Sequence, residues 1–449
     1  MKKTNRTVTS FFDKEYLEYA RYVVENRAIP SCIDGLKPTQ RKVVYIANKI
    51  WKTGNEKPMK LFQLAGRVAS EAFYHHGNTS LESSMVGMAQ RFKNSLPLLQ
   101  GVGQFGSLRS PAAGAPRYIS AKLHPNFRLL YQDFDLLENK IEEGEKIEPA
   151  FFLPIVPTVI LNGTSGIAVG FATNILNRNP KDVVDACINT LNNKGMKVLA
   201  PWVDEFKGTF TRDLENPKTW KIKGRHQVIN TTTVKITSIP PNYTYERYEE
   251  ILNLLMEKGI ITSYDDNSSE TIEYILKFRR SVLSGLVAKG NLDNVLRLNT
   301  QETENLTTID ENGELKIFGK AEDIVKHFVG IRLKWYQIRK DYLIDKTEKQ
   351  LSLVTNKARF INDIIKGKLK VNNVPKETIV AYLKTNKYDT VHASYDYLLS
   401  MAIHSLTKER YEKLLLEKAN CIIELKTLKS TDPKEMYLTD LKKLKASIK

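Results

Sequence analysis

Read as a pattern of apolar and polar positions, the chain changes texture twice. Up to about residue 158, short amphipathic stretches that predict helices alternate with loops rich in glycine, the densest at 101–114. Further on, to about 320, apolar runs at 156–161 and 234–239 read as strands, an amphipathic segment at 245–257 as a helix, and 272–278 as another strand. That mixture predicts an α+β region. In the last third, Ile324, Phe328, Ile331, Trp335, Ile338 and Tyr342 recur at steps of four and three. Leu351, Val354, Ala358, Ile361 and Ile365 resume the rhythm after a slip near Asp345. One helix of roughly 40 residues follows, about 60 Å long at about 1.5 Å per residue. A second helix, 407–428, with Tyr411, Leu415, Ile422 and Leu425 on one face, is expected to return antiparallel against it. Between them, 374–401 would form a small globular tip. The expected division is 1–158, 159–320 and 321–449. On geometry alone, a helical bundle with no mechanical role competes for the last part.

Composition narrows the class. A chain of 449 residues has room for two or three domains, and 41% hydrophobic with 27% charged residues argues against wholesale disorder. The formal charge of +17 favours a polyanionic partner, nucleic acid first, through phosphate neutralisation and counterion release. Solvated lysine faces give the same excess, so charge alone does not decide. Cys32, Cys187 and Cys421 lie far apart without a C-x-x-C pair and read as reduced thiols of a cytoplasmic protein. Residues 1–12 are polar and basic, so no signal peptide is expected, and no apolar run is long enough for a bilayer. No membrane role is implied.

The segment Gly103-Gln104-Phe105-Gly106-Ser107, followed by Ala112-Ala113-Gly114-Ala115-Pro116-Arg117-Tyr118, sets a tyrosine directly after an arginine and downstream of a glycine-rich loop. A tyrosine attacks phosphorus only as phenolate, and a free phenol, with a pKa of about 10, needs a cation or a base to get there. Arg117 suits the first task, because a guanidinium also binds the phosphate oxygens on which charge develops. Taken blind, an Arg-Tyr pair in a loop is almost always structural.

This stretch resembles the active-site region of type IIA DNA topoisomerases, in which a G-Q-x-G-[ST] element precedes small residues and an R-Y pair. Three more segments resemble that family in its order. They are Glu25-Asn26-Arg27-Ala28-Ile29-Pro30 with Asp34-Gly35-Leu36-Lys37-Pro38-Thr39-Gln40-Arg41-Lys42-Val43; Tyr74-His75-His76-Gly77, in the His-His form of eukaryotic and T-even phage members; and Leu153-Pro154-Ile155-Val156-Pro157 with Asn162-Gly163-Thr164-Ser165-Gly166-Ile167-Ala168-Val169-Gly170. A weaker likeness continues from Ile239-Pro240-Pro241 to Ser405-Leu406-Thr407-Lys408-Glu409.

The resemblance is to the chain that carries out breakage and reunion, and it implies a multidomain α+β protein: a winged-helix DNA gate, an α+β tower, and a long antiparallel coiled coil with a small helical dimerisation tip. It implies Tyr118 as nucleophile with Arg117 beside it, Arg27 and Lys37 on the cleaved phosphate, and His76 supporting that phosphate or the proton transfers around it. Arg41, Lys42 and Arg91 would hold double-stranded DNA, and Ile167 would insert between base pairs and bend it. Each also has a plain reading: a solvated basic helix for Arg27, Lys37, Arg41 and Lys42, packed histidines for His75 and His76, and a core side chain for Ile167. In the family, Mg2+ is held by acidic residues of a Toprim domain, and neither its E-G-[DS]-S-A element nor a matching D-x-D is found here; Asp133-Phe134-Asp135 reads as a surface feature. No Walker-type loop is present either. No metal or cofactor ligands are therefore expected in this chain. Mg2+ and ATP would sit on an ATPase/Toprim large subunit, with this chain a homodimer through a DNA gate and a C-gate. The competing class is a non-enzymatic architectural protein that bends DNA.

Overall fold

Lys37-Pro38 starts a helix for a local reason. Proline has its φ preset for a first turn and no N–H to leave unpaired, and the preceding Lys37 N–H donates to Gln40 Oε1 at 3.0 Å. In the computed structural model, which describes residues 12–52, 57–269 and 271–448, this helix is Pro38–Ile50. The polar opening on which the expectation of no signal peptide rests, residues 1–11, lies outside the described residues. Helices Leu61–Glu71 and Asn78–Ala89 pack with the first, burying Val43, Val44, Leu64, Val68, Leu81 and Met85. Beside them lies an antiparallel sheet in which Ser120–Leu123 is the centre strand, flanked by Met59–Lys60 and Leu99–Val102.

The turn before the first helix is built around Asp34, which is fully buried. Its Oδ2 accepts from Arg41 Nε at 2.7 Å and from the Phe152 N–H at 3.0 Å, and its Oδ1 accepts from the Leu36 N–H at 3.0 Å and from Arg41 Nη2 at 3.1 Å. Its carbonyl accepts from the Thr158 hydroxyl. Gly35 follows at φ +65°, where a Cβ would stand 2.4 Å from the Val159 nitrogen, so only glycine fits this close approach. The run read as a strand at 156–161 is in fact the short helix Thr158–Leu161, buried on every side. A fully buried apolar run carries no periodicity to separate helix from strand. Asp133, read as a surface residue, is buried and paired with Arg332, whose Nε donates to the Pro154 carbonyl at 3.0 Å.

The α+β expectation holds in the middle of the chain. A four-stranded antiparallel sheet runs in the order Arg225–Asn230, Thr233–Ser238, Tyr274–Lys277, Ser263–Asp266. Helix Tyr245–Glu257 packs Tyr248 and Leu252 against Val234, Ile236, Tyr274 and Leu276 of that sheet. Two hairpins, Thr164–Ile167 with Ala172–Ile175 and Thr307–Ile309 with Leu315–Ile317, pack Ala168, Ile309 and Leu315 against Val23, Val24, Ala28 and Ile29 near the N-terminus.

The chain divides into two compact units, Met1–Arg332 with Leu438–Lys449, and Leu333–Tyr437. The expected long helix is continuous from Ala321 to Ile365, 45 residues, through the slip near Asp345. In the second unit, helix Lys408–Ser430 runs antiparallel to its later part. Leu414 packs on Val354, Ala358 and Ile361, while Lys429 pairs with Glu348 at 2.7 Å and Lys340 Nζ donates to the Thr431 carbonyl at 2.8 Å. From Tyr411 onward the covered positions of Lys408–Ser430 are Tyr411, Leu414, Lys418, Cys421, Leu425 and Leu428. Steps of three and four make this a heptad stripe. Leu415 and Ile422, placed on the inner face by their spacing in sequence, are instead 42% and 48% exposed. Each lies one residue past the stripe, about 100° around the helix. Ile338 is likewise turned outward, and Tyr336 is buried in its place, stacked on Tyr437 at 4.6 Å. The small globule expected at 374–401 has a core of Phe360, Leu369, Ile379, Leu383, Tyr388, Tyr395 and Leu398.

Replacing Arg41 with methionine strands the Asp34 carboxylate in a dry site. Such a broken buried pair costs about 3–5 kcal/mol, and the shift of the urea midpoint for the first unit checks it. A loss under about 1 kcal/mol, the value of a solvated surface pair, would show that Asp34 does not organise the turn.

Candidate active site

The glycine-rich loop is closed by an amide that motif reading misses. Gln90, 3% exposed, donates from Nε2 to the Phe105 carbonyl at 2.7 Å and to the Pro111 carbonyl at 3.2 Å, holding the two limbs of the loop together. The limbs come so close that a Cβ on Gly106, at φ +82°, would lie 2.5 Å from the Pro111 oxygen. Below this clasp the Gly114 N–H donates to the Gln104 carbonyl at 2.9 Å, and the Tyr118 N–H closes a turn onto the Ala115 carbonyl at 2.9 Å. Lys60 Nζ donates to the Tyr118 carbonyl at 2.8 Å, and the next residues enter the centre strand of the small sheet. The tyrosine backbone is thus tied down while its side chain is 69% exposed. Arg117 sets its guanidinium carbon 4.8 Å from the centroid of the Tyr118 ring. Among the described residues it has no hydrogen-bond or ion-pair partner, so its charge is free for an anion.

A second group gathers around the N-terminal segment. Arg27, on the π-helical turn Val24–Ala28, is exposed and has no partner among the described residues. Lys37 is half-buried and donates from Nζ to the Ser165 carbonyl at 2.7 Å. Burial holds its ammonium below the ordinary lysine range. A Cβ on Gly166 would lie 2.2 Å from the Ala28 carbonyl and 3.2 Å from Lys37 Nζ, so the hairpin backbone docks directly on the Arg27–Lys37 segment. At the hairpin's end Ile167 is 88% exposed, with Phe171 beside it at 42%. His76 accepts or donates a 3.0 Å hydrogen bond with the Tyr22 hydroxyl through Nε2, and its ring meets the Tyr74 ring edge-on at 5.4 Å. His75 turns to Glu142 at 2.9 Å.

The structure therefore brings Lys37 and the Ile167 hairpin together with Arg27 close by, and it pairs Arg117 with Tyr118. These two groups share no hydrogen bond or ion pair among the described residues. Arg41 and Lys42 do not join either. Arg41 is 5% exposed and committed to Asp34 and to the Leu36 carbonyl at 3.1 Å. Lys42 is mostly covered, with Nζ on Glu148 at 3.1 Å and on the Ala72 carbonyl. In this structure neither side chain offers a free charge for the phosphate contacts expected of both. A helix whose first turn follows Lys37-Pro38 turns positions 41 and 42 toward the Asp34 turn and the Glu148 strand. Arg91 is exposed, and its charge, after burial, helps hold His124 below the ordinary histidine range. Among the described residues, Cys32, Glu311 and His327 are the one group of three or more donor side chains close enough to share a metal ion, and it includes none of the residues around Tyr118.

The exposure of Ile167 separates its two readings. A core isoleucine cut to alanine costs about 2–5 kcal/mol; at this exposed position Ile167→Ala should leave the melting transition within about 0.5 kcal/mol of wild type. A core-sized loss in a thermal melt would return the residue to the interior.

This geometry has close counterparts among known proteins. Residues 27–445 match the family described as the A subunit of DNA gyrase/topoisomerase IV. The medium subunit of the Enterobacteria phage T4 DNA topoisomerase is 36% identical over 451 residues, 99% of this chain and 100% of that protein. The mitochondrial DNA topoisomerase 2 of Dictyostelium discoideum is 34% identical over 460 residues, 98% of this chain but 35% of that protein. The chain thus spans about a third of the eukaryotic relatives' length. The crystal structure of the DNA-binding, cleavage and re-ligation domain of Plasmodium falciparum topoisomerase II superposes with a TM-score of 0.89 at 34% identity, covering 98% of this chain and 64% of that one.

Proposed function

The chain belongs to the family of DNA gyrase/topoisomerase IV A subunits, and we propose that it is the component of a type II DNA topoisomerase that breaks and reseals the duplex. The observation that carries this reading is the Arg117–Tyr118 pair: a backbone fixed on three sides, an exposed phenol, and an unpaired guanidinium over its ring. Tyr118 Oη attacks a backbone phosphorus and the bond to the 3′ oxygen breaks. The phenol loses its proton, the departing 3′ oxygen gains one, and a 5′-phosphotyrosine link remains. The reverse attack by the 3′-hydroxyl reseals the strand without ATP, because the link keeps the energy of the phosphodiester. Arg117 steadies the charge on the equatorial oxygens. Arg27 and Lys37 bind the phosphate, His76 supports it or relays protons, Arg91 adds a phosphate contact, and Ile167 enters a base step.

Two strands need two tyrosines, so the working form is a two-fold dimer closed at a DNA gate and a C-gate. In this reading, 1–158 is a winged-helix gate, 159–320 a tower, and 321–449 a coiled coil with a dimerisation tip. The residues around Tyr118 do not fit Mg2+, since among the described residues no carboxylate cluster of metal-binding span lies there. The Mg2+ ligands and the ATP site are assigned to a large partner subunit. Among the described residues no helix is long and apolar enough to cross a membrane, and the likeness to a phage protein supports a host cytoplasm as the place of action. The alternative, a DNA-bending architectural protein, would use the Ile167 hairpin equally well but has no use for Arg117 over Tyr118.

The experiment incubates the chain with its large subunit, Mg2+ and labelled DNA and runs a denaturing gel. Wild type should trap covalent adduct. Tyr118→Phe should form none, while binding DNA within a few-fold, because phosphate contacts dominate the interface. Adduct from the variant at the wild-type level would overturn the assignment. Lys37 gives a pH signature. Because burial lowers its pKa, its charge is present at low pH and is lost earlier than that of an exposed lysine as pH rises. Lys37→Arg should move the alkaline limb of cleavage upward, and an unmoved limb would remove Lys37 from the phosphate site.

A further inference from the structure

We infer that Cys32, Glu311 and His327 form a binding site for a zinc-class transition-metal ion, separate from the residues that handle DNA. Cys32 Sγ, a Glu311 carboxylate oxygen and a His327 ring nitrogen all lie within 4.8 Å of one another. Ligand atoms around one tetrahedral Zn2+ stand about 3–4 Å apart, given metal bonds of about 2.0–2.3 Å. The widest separation therefore needs to close by at most about an ångström, while His327 and Glu311 are already in contact. They come from three elements that the fold holds together independently. Cys32 lies in the Asp34 turn, with its N–H on the Ile309 carbonyl at 2.8 Å. Glu311 sits in the turn of the Thr307–Ile309/Leu315–Ile317 hairpin, where Asp310 Oδ1 accepts from the Asn312 and Glu314 N–H groups at 2.9 and 3.0 Å. His327 is on the second turn of helix Ala321–Ile365, with Nε2 2.9 Å from Glu311 Oε2.

The donor set selects the ion. Thiolate, imidazole and carboxylate together suit Zn2+ and its neighbours in the Irving–Williams series, and a thiolate disfavours the hard Mg2+ of the cleavage reaction. Cys32 is buried while Glu311 is exposed, so the ion approaches from the hairpin side and keeps one position for water. Before an ion binds, Lys316 Nζ stands 3.3 Å from His327 Nδ1, which makes Nδ1 the acceptor and Nε2 the donor to Glu311. Metal binding moves the imidazole proton from Nε2 to Nδ1 and releases the Cys32 thiol proton to solvent. Lys316 then turns toward the Phe318 ring, whose centroid is already 5.7 Å from its Nζ. The ion fastens the turn between Arg27 and Lys37 to the hairpin and the helix.

The test uses the purified full chain stripped of metal with a chelator. Titration with Co2+ should give one equivalent of tetrahedral d–d absorption together with a near-ultraviolet thiolate-to-metal band, both displaced by Zn2+. Cys32→Ser should lose the thiolate band, although Cys187 and Cys421 remain. Glu311→Gln, an exposed change that leaves the fold intact, should weaken Co2+ binding at least about tenfold, the loss that removal of even an outer partner brings. Mg2+ should not compete. A wild-type chain with no thiolate band at stoichiometric Co2+, or a band that survives Cys32→Ser, would overturn the site, as would an affinity untouched by Glu311→Gln.

Discussion

A buried ion pair in the N-terminal turn supports everything that follows it. Asp34 loses its hydration entirely and Arg41 nearly so, which costs several kcal/mol per ion, and the loss is offset only because nearly every lone pair of Asp34 is used. Its carboxylate receives Arg41, the Leu36 N–H and the Phe152 N–H, and its carbonyl receives Thr158. The pair thereby joins residues 31–41 to residues 152–158, two segments that flank the tyrosine loop in sequence. Arg27 and Lys37 lie on either side of this turn, and the Ile167 hairpin starts six residues after Thr158. The placement of Arg27, of Lys37 and of the hairpin follows from the turn that this desolvated carboxylate holds.

The same economy of contact explains the glycines. Gly35, Gly106 and Gly166 each let a backbone approach another to within van der Waals limits that a Cβ would violate. Each closure has a chemical effect at a neighbour. Gly35 admits Val159, Gly106 lets Gln90 clasp the loop above Tyr118, and Gly166 brings Ser165 within reach of the Lys37 ammonium. The side chains assigned to DNA in the proposed reading are left exposed: Tyr118, Arg117, Arg27 and Ile167 protrude from a frame in which the backbone is bonded. An isoleucine that is 88% exposed gives up the burial that usually repays an apolar side chain, so packing in the core does not account for its position.

How much of this is legible in sequence depends on whether the signal is periodic or tertiary. The helix Tyr245–Glu257 and the 45-residue helix through Ile365 follow from apolar spacing, and both appear as expected. The inner stripe of Lys408–Ser430 shifts by one residue from its expected place because Leu415, Leu416, Ile422 and Ile423 offer two apolar stripes, and only packing on Val354 and Ile361 selects the one through Leu414. Motif likeness singles out Arg117 and Tyr118, which the fold presents as an exposed pair, but it treats every basic residue of the 27–42 stretch alike. Helical phase separates them: Lys37 keeps its charge toward the hairpin, whereas Arg41 and Lys42 turn inward to Asp34 and Glu148. Gln90 leaves no trace in sequence, since a lone amide at a helix end gains its meaning only from the two carbonyls it reaches.

The arrangement around Tyr118 also limits what this chain can do unaided. One guanidinium beside an exposed phenol steadies an anion but does not supply a base, and the water that reaches an exposed site weakens each charge interaction by screening it. Asp133, a carboxylate nearby in sequence, is consumed in a buried pair with Arg332. In the proposed reading, a tyrosine held in position with one guanidinium would leave DNA phosphates intact until a partner surface brings further cations and excludes solvent. In the same reading, a chain whose charge of +17 favours a polyanion gains from that separation: it would bind DNA often and indiscriminately while breakage waits for the large subunit.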